Sequence, residues 1–356
     1  MTSGARRLIP AVIVLASLVC ALLLRVFVFP SCGPQISVYH DSPVGIMGTE
    51  TNLTALVPYS SLDIPRQGVK NAELALRRIE AMMSAHLEFS ELSIFNASTP
   101  GEPTELSPEL MDLLRTARKF TADSDGAFDV TVGPLIKLWK DADGAKEPPS
   151  DQQVQPVRAM CGWNHIELRQ NAAVRLTDSV TVDLGGIAKG YGIDQAADAM
   201  KQAGCSAGVI DVGGDVRFFG QKPDGQQWTF TVDNPFGEGF IGTFKMDEGA
   251  VCTSGNYRRN VTIGGKRYSH IIDPRTGWPA ETSPSVTVLA PTATIADAWA
   301  TALSVRGPDG LALLPEGVEA MLVIGTTQKY SFVTTEGFME RHWASDADNQ
   351  IWPGKE

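Results

Sequence analysis

TVDLGGIAKGYGIDQAADAMKQAGCSAGVIDVGGDVR, residues 181–217, is the stretch on which the reading of this chain turns. Residues 180–184 are short and β-branched, and Gly185-Gly186 breaks them. From Ala188 to Ala203 the spacing is helical, with Ile193, Ala196, Ala197 and Met200 on one stripe. Gly204 stands where a helix C-cap glycine belongs. Residues 209–212 form a second strand and run into Gly213-Gly214. Two glycine turns therefore flank one helix. Each carries acids: Asp183 at the first, Asp211 and Asp215 at the second. Glycine turns and helix N-termini present free N–H groups, which suits a phosphate-bearing ligand. The same unit also serves as plain packing scaffold, and this stretch alone leaves both readings open.

Working outward, the chain alternates clustered strands with inserted helices. A strand is expected from about Met47 through Val57, then a helix over 69–86 with Leu74, Ala75, Ile79, Met82, Met83 and His86 at three-to-four spacing. His86 on that stripe reads as a packing histidine. Residues 90–96 read as irregular. Ser107-Pro108 opens a helix to Phe120, a cap followed by proline in the first turn. Residues 127–132 alternate like a strand, 141–150 read as a solvated loop, and 151–160 as a short helix. A hairpin follows across Gln170-Asn171. Beyond the opening stretch, strands are expected at 228–232, 239–246, 249–253, 261–263, 267–272 and 285–290. A helix over 294–305 ends at Gly307, and strands at 320–324 and 330–334 follow it. This order favours α+β over a doubly wound sheet. No GxGxxG follows the first strand, so a plain dinucleotide fold is not indicated.

Composition narrows the class. The 356 residues are 43% hydrophobic and 20% charged, enough for a full core. A net charge of −11 with no basic run argues against nucleic-acid binding. Arg6-Arg7 precede an apolar run over 8–24, as in an export signal or signal-anchor. We read residues 1–32 as an uncleaved membrane anchor, with lipidation at Cys20 or Cys32 as the alternative, 33–46 as a linker, 47–340 as the functional domain and 341–356 as a polar tail. Cys161, Cys205 and Cys252 are odd in number and lack CxxC spacing, which argues for buried free thiols rather than a zinc site or disulfide framework.

Three sites could carry chemistry. Asp297 and Thr301 lie at i and i+4 of the 294–305 helix, so a carboxylate and a hydroxyl reach one point. With a carbonyl, they make a partial shell for a hard cation such as Mg2+; equally, each could be solvated or capping. His270, at a strand end beside the DPRTG turn, has the chemistry of a general base, or it is a surface histidine beside an Asp–Arg pair. Ser254 lacks a nucleophile-elbow context, which weighs against a Ser–His triad.

Seven blocks then stand in register: MGT at 47–49, DGAFDVTVGPL at 125–135, VDLGGIAKGYGID at 182–194, DVGGDVR at 211–217, CTSGNY at 252–257, SHIIDPRTGWP at 269–279 and ADAWATAL at 296–303. In order and spacing they resemble the FAD:protein FMN transferases, the ApbE family of flavin transferases, over about residues 44–340. The resemblance implies an ApbE-like, T-fold-related α+β architecture of mixed, largely antiparallel sheets with inserted helices. It also implies an exported, Mg2+-dependent enzyme. Such an enzyme cleaves the pyrophosphate of FAD and moves FMN onto a Ser or Thr hydroxyl of a membrane or exported redox protein, with AMP leaving. By motif, Met47, Ala127, Phe128, Asp129, Asp183, Lys189 and Ile272 match FAD-holding positions. Gly186 (through its carbonyl), Asp297 and Thr301 match the metal ligands, and His270 matches the base. Localisation on the extracytoplasmic side of the inner membrane goes with this reading. An FAD pyrophosphatase yielding FMN and AMP, or a non-catalytic flavin-binding protein, would share most of these motifs. One departure stands out: SELSIFN at 90–96 follows Leu87-Glu88-Phe89 directly, without the Tyr-bearing loop of the family. An aromatic wall for the isoalloxazine ring is then either missing or supplied by Phe89 or Phe95.

Overall fold

The structure is a computed structural model that describes residues 36–58, 61–255 and 260–345. Along the chain run β1 (Ile36–Asp41), β2 (Thr51–Pro58), α1 (Asp63–Met83), α2 (Glu91–Asn96), β3 (Pro103–Glu105) and α3 (Pro108–Asp123). Then come α4 (Gly133–Asp141), α5 (Asp151–Arg158), β4 (Ile166–Leu168), β5 (Ala172–Arg175), α6 (Ala188–Gln202), β6 (Ala207–Val212) and β7 (Asp215–Phe219). They are followed by β8 (Trp228–Asp233), β9 (Phe240–Met246), β10 (Gly249–Gly255), β11 (Asn260–Ile263), β12 (Lys266–Ser269) and β13 (Ser285–Ala290). Last among the described residues come α7 (Ala293–Arg306), β14 (Glu319–Thr326), β15 (Lys329–Thr334), α8 (Glu336–His342) and β16 (Trp343–Ser345).

Eight strands form one sheet in the order β1-β2-β6-β7-β10-β13-β14-β15. Every neighbouring pair in it is antiparallel. The α+β expectation, with largely antiparallel sheets and inserted helices, holds. Helices α1, α6 and α7 bury their apolar residues, among them Leu76, Ile79, Ile193, Met200, Trp299 and Leu303, in a core shared with Leu53, Ile210 and Val288 of the sheet. Each such fully buried side chain contributes roughly 1.5–3 kcal/mol. A second core holds Phe218 and Leu289 against Trp228, Phe230 and Phe244 of the β8–β9 layer. Strand β13 lies between these cores and is buried at all six positions, the polar Ser285 and Thr287 included.

Several stretches differ from their sequence reading. Residues 36–41, expected as linker, are edge strand β1, because each pairs with a residue of β2 from Ile36–Pro58 to Asp41–Leu53. Part of the expected polar tail is ordered: α8 reaches His342, and Trp343 and Ser345 pair with β9. Residues 90–96 form α2, because Ser90 accepts the Ser93 N–H as its cap. The helix over 69–86 stops at Met83, which leaves His86 exposed rather than packed. Residues 127–132 do bury Phe128, Val130 and Val132, but their backbone makes only one bridge, Val132 to Thr181. The anchor expected over 1–32 lies outside the described residues. Among the described residues, no helix is long and apolar enough to cross a membrane.

Helices α6 and α7 cross where α6 is thinnest. A Cβ on Gly190 would lie 2.2 Å from the Ala293 carbonyl oxygen and 2.9 Å from the Asp297 Cβ. Gly190→Ala should therefore force the two helices apart and lower stability by about 1–3 kcal/mol. Thermal unfolding checks this, and an unchanged Tm would contradict the close approach.

Candidate active site

The first glycine turn, residues 184–187, feeds straight into α6. A Cβ on Gly186 would fall 3.0 Å from Thr301 Oγ1 and 3.3 Å from the Phe128 ring. A side chain there would be tight against both, so glycine suits the close approach of this backbone to the Thr301 hydroxyl and the Phe128 ring. One helical turn back along α7, Asp297 is 5% exposed and its Oδ2 accepts the Gly190 N–H at 2.9 Å. Among the described residues, its Oδ1 accepts no hydrogen bond. Lys189 and Asp215 form an ion pair, the Lys side chain 30% exposed and the Asp side chain 3%. Asp215 Oδ1 also accepts the Thr253 N–H at 2.9 Å. The start of α7 is held by Asp194, whose two carboxylate oxygens accept the Ala293 and Thr294 N–H groups at 2.9 and 2.8 Å. A carboxylate there also complements the helix dipole.

Burial dominates the electrostatics. It pushes the Asp297 carboxyl up to about 7; Asp215 and Asp194 add to the rise, and Lys189 and the Gly190 N–H oppose it. Burial alone would pull the Lys189 ammonium down, but Asp215 and Asp297 outweigh it and hold the group above its ordinary value. Burial also lifts Asp129, against hydrogen bonds from its own neighbour Thr131. Cys252 is fully buried and its thiol is pushed well above its ordinary range, first by burial and then by Asp215 and Asp297. Cys161 is pushed to about 12 by burial. Cys161, Cys205 and Cys252 are free.

The raised Asp297 carboxyl gives a pH dependence with a definite sign. From about 3.8 to about 7 the unfolded chain releases this proton while the folded chain keeps it. With no divalent cation present, this group's contribution to stability should therefore fall as pH rises through that window and level off above it. Chemical denaturation of the protein and of Asp297→Asn, compared in chelator from pH 4 to 8, checks it. A stability difference that stays constant across the window would contradict the assignment.

The other sequence-derived positions fall around this centre. Asp183 accepts the Gly185 N–H at 2.7 Å, and its own N–H donates to the Val130 carbonyl at 2.7 Å, tying the glycine turn to the 127–132 stretch. Asp129 accepts from the Thr131 N–H and hydroxyl, both at 2.8 Å. Met47 adopts a left-handed φ of 49° and its methyl reaches Gly192 on α6. Ala127 packs with Ile271 and with Val305, the residue one turn past Thr301. His270, the neighbour of Ile271, is exposed at the exit of β12. Ile272 is turned away: its side chain is buried with Val132, Leu135 and Trp139. Of the two phenylalanines considered for an aromatic wall, Phe95 is fully buried in the main core and is not available, whereas Phe89 is 84% exposed.

The family model described as "ApbE family" matches residues 47–322, well over half of the chain. The chain belongs to the ApbE family. Among its curated relatives, the FAD:protein FMN transferase of Vibrio cholerae serotype O1 is 33% identical over 270 residues, 74% of this chain and 81% of that protein. The FAD:protein FMN transferase of Escherichia coli K12 is 31% identical over 303 residues, 81% of this chain and 86% of that one. Two solved ApbE structures share the fold. The flavin transferase ApbE from Vibrio cholerae superposes with a TM-score of 0.76 at 29% identity, covering 86% of this chain and all of that one. The ApbE protein of Thermotoga maritima gives 0.76 at 32%, covering 85% and 98%.

The donor set at the centre of this ApbE fold fits a hard divalent cation. A buried carboxylate with one oxygen uncommitted stands one turn from a hydroxyl, and a glycine backbone lies against that hydroxyl. Among the described residues no group of three or more His, Cys, Asp or Glu side chains stands together to hold a metal ion. Two residues of this neighbourhood escaped the site reading of the sequence. Asp194 sits in the helix as an ordinary charge, and its capping of α7 is a contact between segments far apart in the chain. Asp215 was visible as an acid closing the second glycine turn, but nothing local pairs it with Lys189.

Proposed function

We propose that this chain is an FAD:protein FMN transferase that moves FMN from FAD onto a Ser or Thr hydroxyl of a membrane or exported redox protein and releases AMP. The observation that carries the reading is that the Gly186 turn lies against Thr301, one turn along α7 from the buried Asp297, whose carboxylate accepts the Gly190 N–H beside Lys189. The names of the relatives support it.

In this reading Met47, Ala127, Phe128, Asp129, Asp183, Lys189 and the main chain at Ile272 hold FAD. Gly186 through its carbonyl, Asp297 and Thr301 hold Mg2+, which when bound supplies charge neutralisation on the pyrophosphate oxygens. The Lys189 ammonium, held by its ion pair with Asp215, offers a further positive charge to the phosphates. His270 takes the proton of the incoming hydroxyl. The hydroxyl oxygen forms the new bond to the FMN phosphorus, the anhydride bond breaks, and AMP leaves with the bridging oxygen. The exposure of His270 suits a base that must meet a hydroxyl carried on another protein. Residues 1–32 anchor the protein to the inner membrane, as a signal-anchor or through a lipidated cysteine, with the catalytic domain on the extracytoplasmic side.

The test is to incubate the full chain with FAD, Mg2+ and a flavinylation-target protein, then look for flavin fluorescence on the target band in a denaturing gel. Fluorescence that depends on both Mg2+ and target supports the proposal. FMN and AMP formed at the same yield with or without target would make the chain an FAD pyrophosphatase instead.

A further inference from the structure

The buried ion pair beside Asp297 carries an inference that rests on the functional reading above. Asp215 opens β7 directly after the second glycine turn and is 2% exposed. Both of its oxygens are engaged: Oδ1 by the Thr253 N–H of β10, at 2.9 Å, and Oδ2 by the Lys189 ammonium. Its position is thus set by main-chain bonding between strands, and it sets the position of Lys189 in turn. Lys189 stands in the first turn of α6, next to Gly190, whose N–H binds Asp297. One ammonium and two carboxylates share this pocket and leave it with one net negative charge. The nearby Asp194 has its own cation, Arg217, at 3.9 Å.

We propose that Asp215 is a positioning residue that holds Lys189 off the Asp297 carboxylate and keeps the pocket net negative, so that Asp297 stays open to a divalent cation. An ammonium in a poorly solvated pocket seeks a counter-ion. With Asp215 neutralised, the carboxylate left for Lys189 in the pocket, among the described residues, is Asp297. The lysine would then occupy the place of the metal, and the pocket charge would fall to zero. Cation affinity at oxygen sites follows ligand charge. The order of effects is therefore opposite for the two partners: loss of the Asp215 charge weakens metal binding, whereas loss of the Lys189 charge does not.

Three variants of the full chain test this. Asp215→Asn keeps an oxygen for the Thr253 N–H and removes only the charge. Lys189→Met keeps the length of the side chain and removes the ammonium. The double variant restores the net charge. Mn2+ binding is followed by loss of the free-ion electron paramagnetic resonance signal, with Mg2+ as competitor, at pH 8 and without FAD. Thermal unfolding confirms that each variant is folded.

Asp215→Asn should weaken Mn2+ binding by about tenfold or more. Lys189→Met should bind at least as tightly as the unaltered protein, and the double variant should recover most of the loss. A merely structural Asp215 predicts no such recovery. A double variant as weak as Asp215→Asn, or an unaffected Asp215→Asn, would overturn the inference and leave the functional reading intact. An unaltered protein that takes up neither Mn2+ nor Mg2+ would overturn both.

Discussion

Asp297→Ala should abolish FMN transfer, by about a thousandfold or more, because in the proposed reading it removes the charged oxygen ligand of the divalent cation. The argument rests on where the carboxylate sits. Asp297 is 5% exposed, on a helix whose other residues at this level are Ala and Trp, so no neighbouring acid of α7 can substitute. The same change orphans the Gly190 N–H that Oδ2 accepts. A buried unpaired donor costs about 1–3 kcal/mol, so some stability should be lost as well. Asp297→Asn separates the two effects, since its amide oxygen still accepts from Gly190 while the charge is gone. Transfer should be nearly as low in Asn as in Ala, with thermal stability at or above that of the unaltered protein. Substantial transfer by Asp297→Asn would show that the carboxylate is not a ligand.

The second large effect is at His270. His270→Ala should lower transfer by about 10²–10⁴-fold while leaving the fold and FAD binding in place. The side chain is exposed at the end of β12, and the neighbouring chain has anchors of its own. Ile271 packs with Ala127 and Val305, Ile272 bridges Pro279, and the Trp139 indole donates to the Gly277 carbonyl at 2.9 Å. Removal of the imidazole should therefore leave that turn standing. Added imidazole should restore part of the rate, as expected where a missing base is the defect. Loss of FAD binding in His270→Ala, with no rescue, would assign the residue to binding instead.

What the sequence made legible follows from the range of the interactions involved. Helices α1, α3 and α6 each carry an apolar stripe at helical spacing, α7 is a run buried on nearly every side, and signals such as Ser107-Pro108 and Gly307 mark local starts and stops. The Asp297–Thr301 pairing is a property of one helix and needs no tertiary knowledge. Strand β1 was missed because its identity lies in its pairing with β2, not in its own polar residues. Residues 127–132 alternate, but the alternation serves packing in a loop clamped by the Val132–Thr181 bridge. The burial of the Ile272 side chain in the Trp139 cluster joins segments far apart in the chain, which no local pattern marks. The Lys189–Asp215 link joins α6 to a strand two elements later, and only the assembled sheet brings them together.

The most direct test of the transferase reading is a stoichiometric one. The full chain, FAD, Mg2+ and a flavinylation-target protein are incubated, the target is weighed by intact mass spectrometry, and AMP is counted in the same sample. The expected result is a target heavier by one FMN less one water on a single Ser or Thr, with one AMP released per flavin attached and none in Asp297→Ala. AMP release with the target mass unchanged, or attachment that persists in Asp297→Ala, would contradict the account.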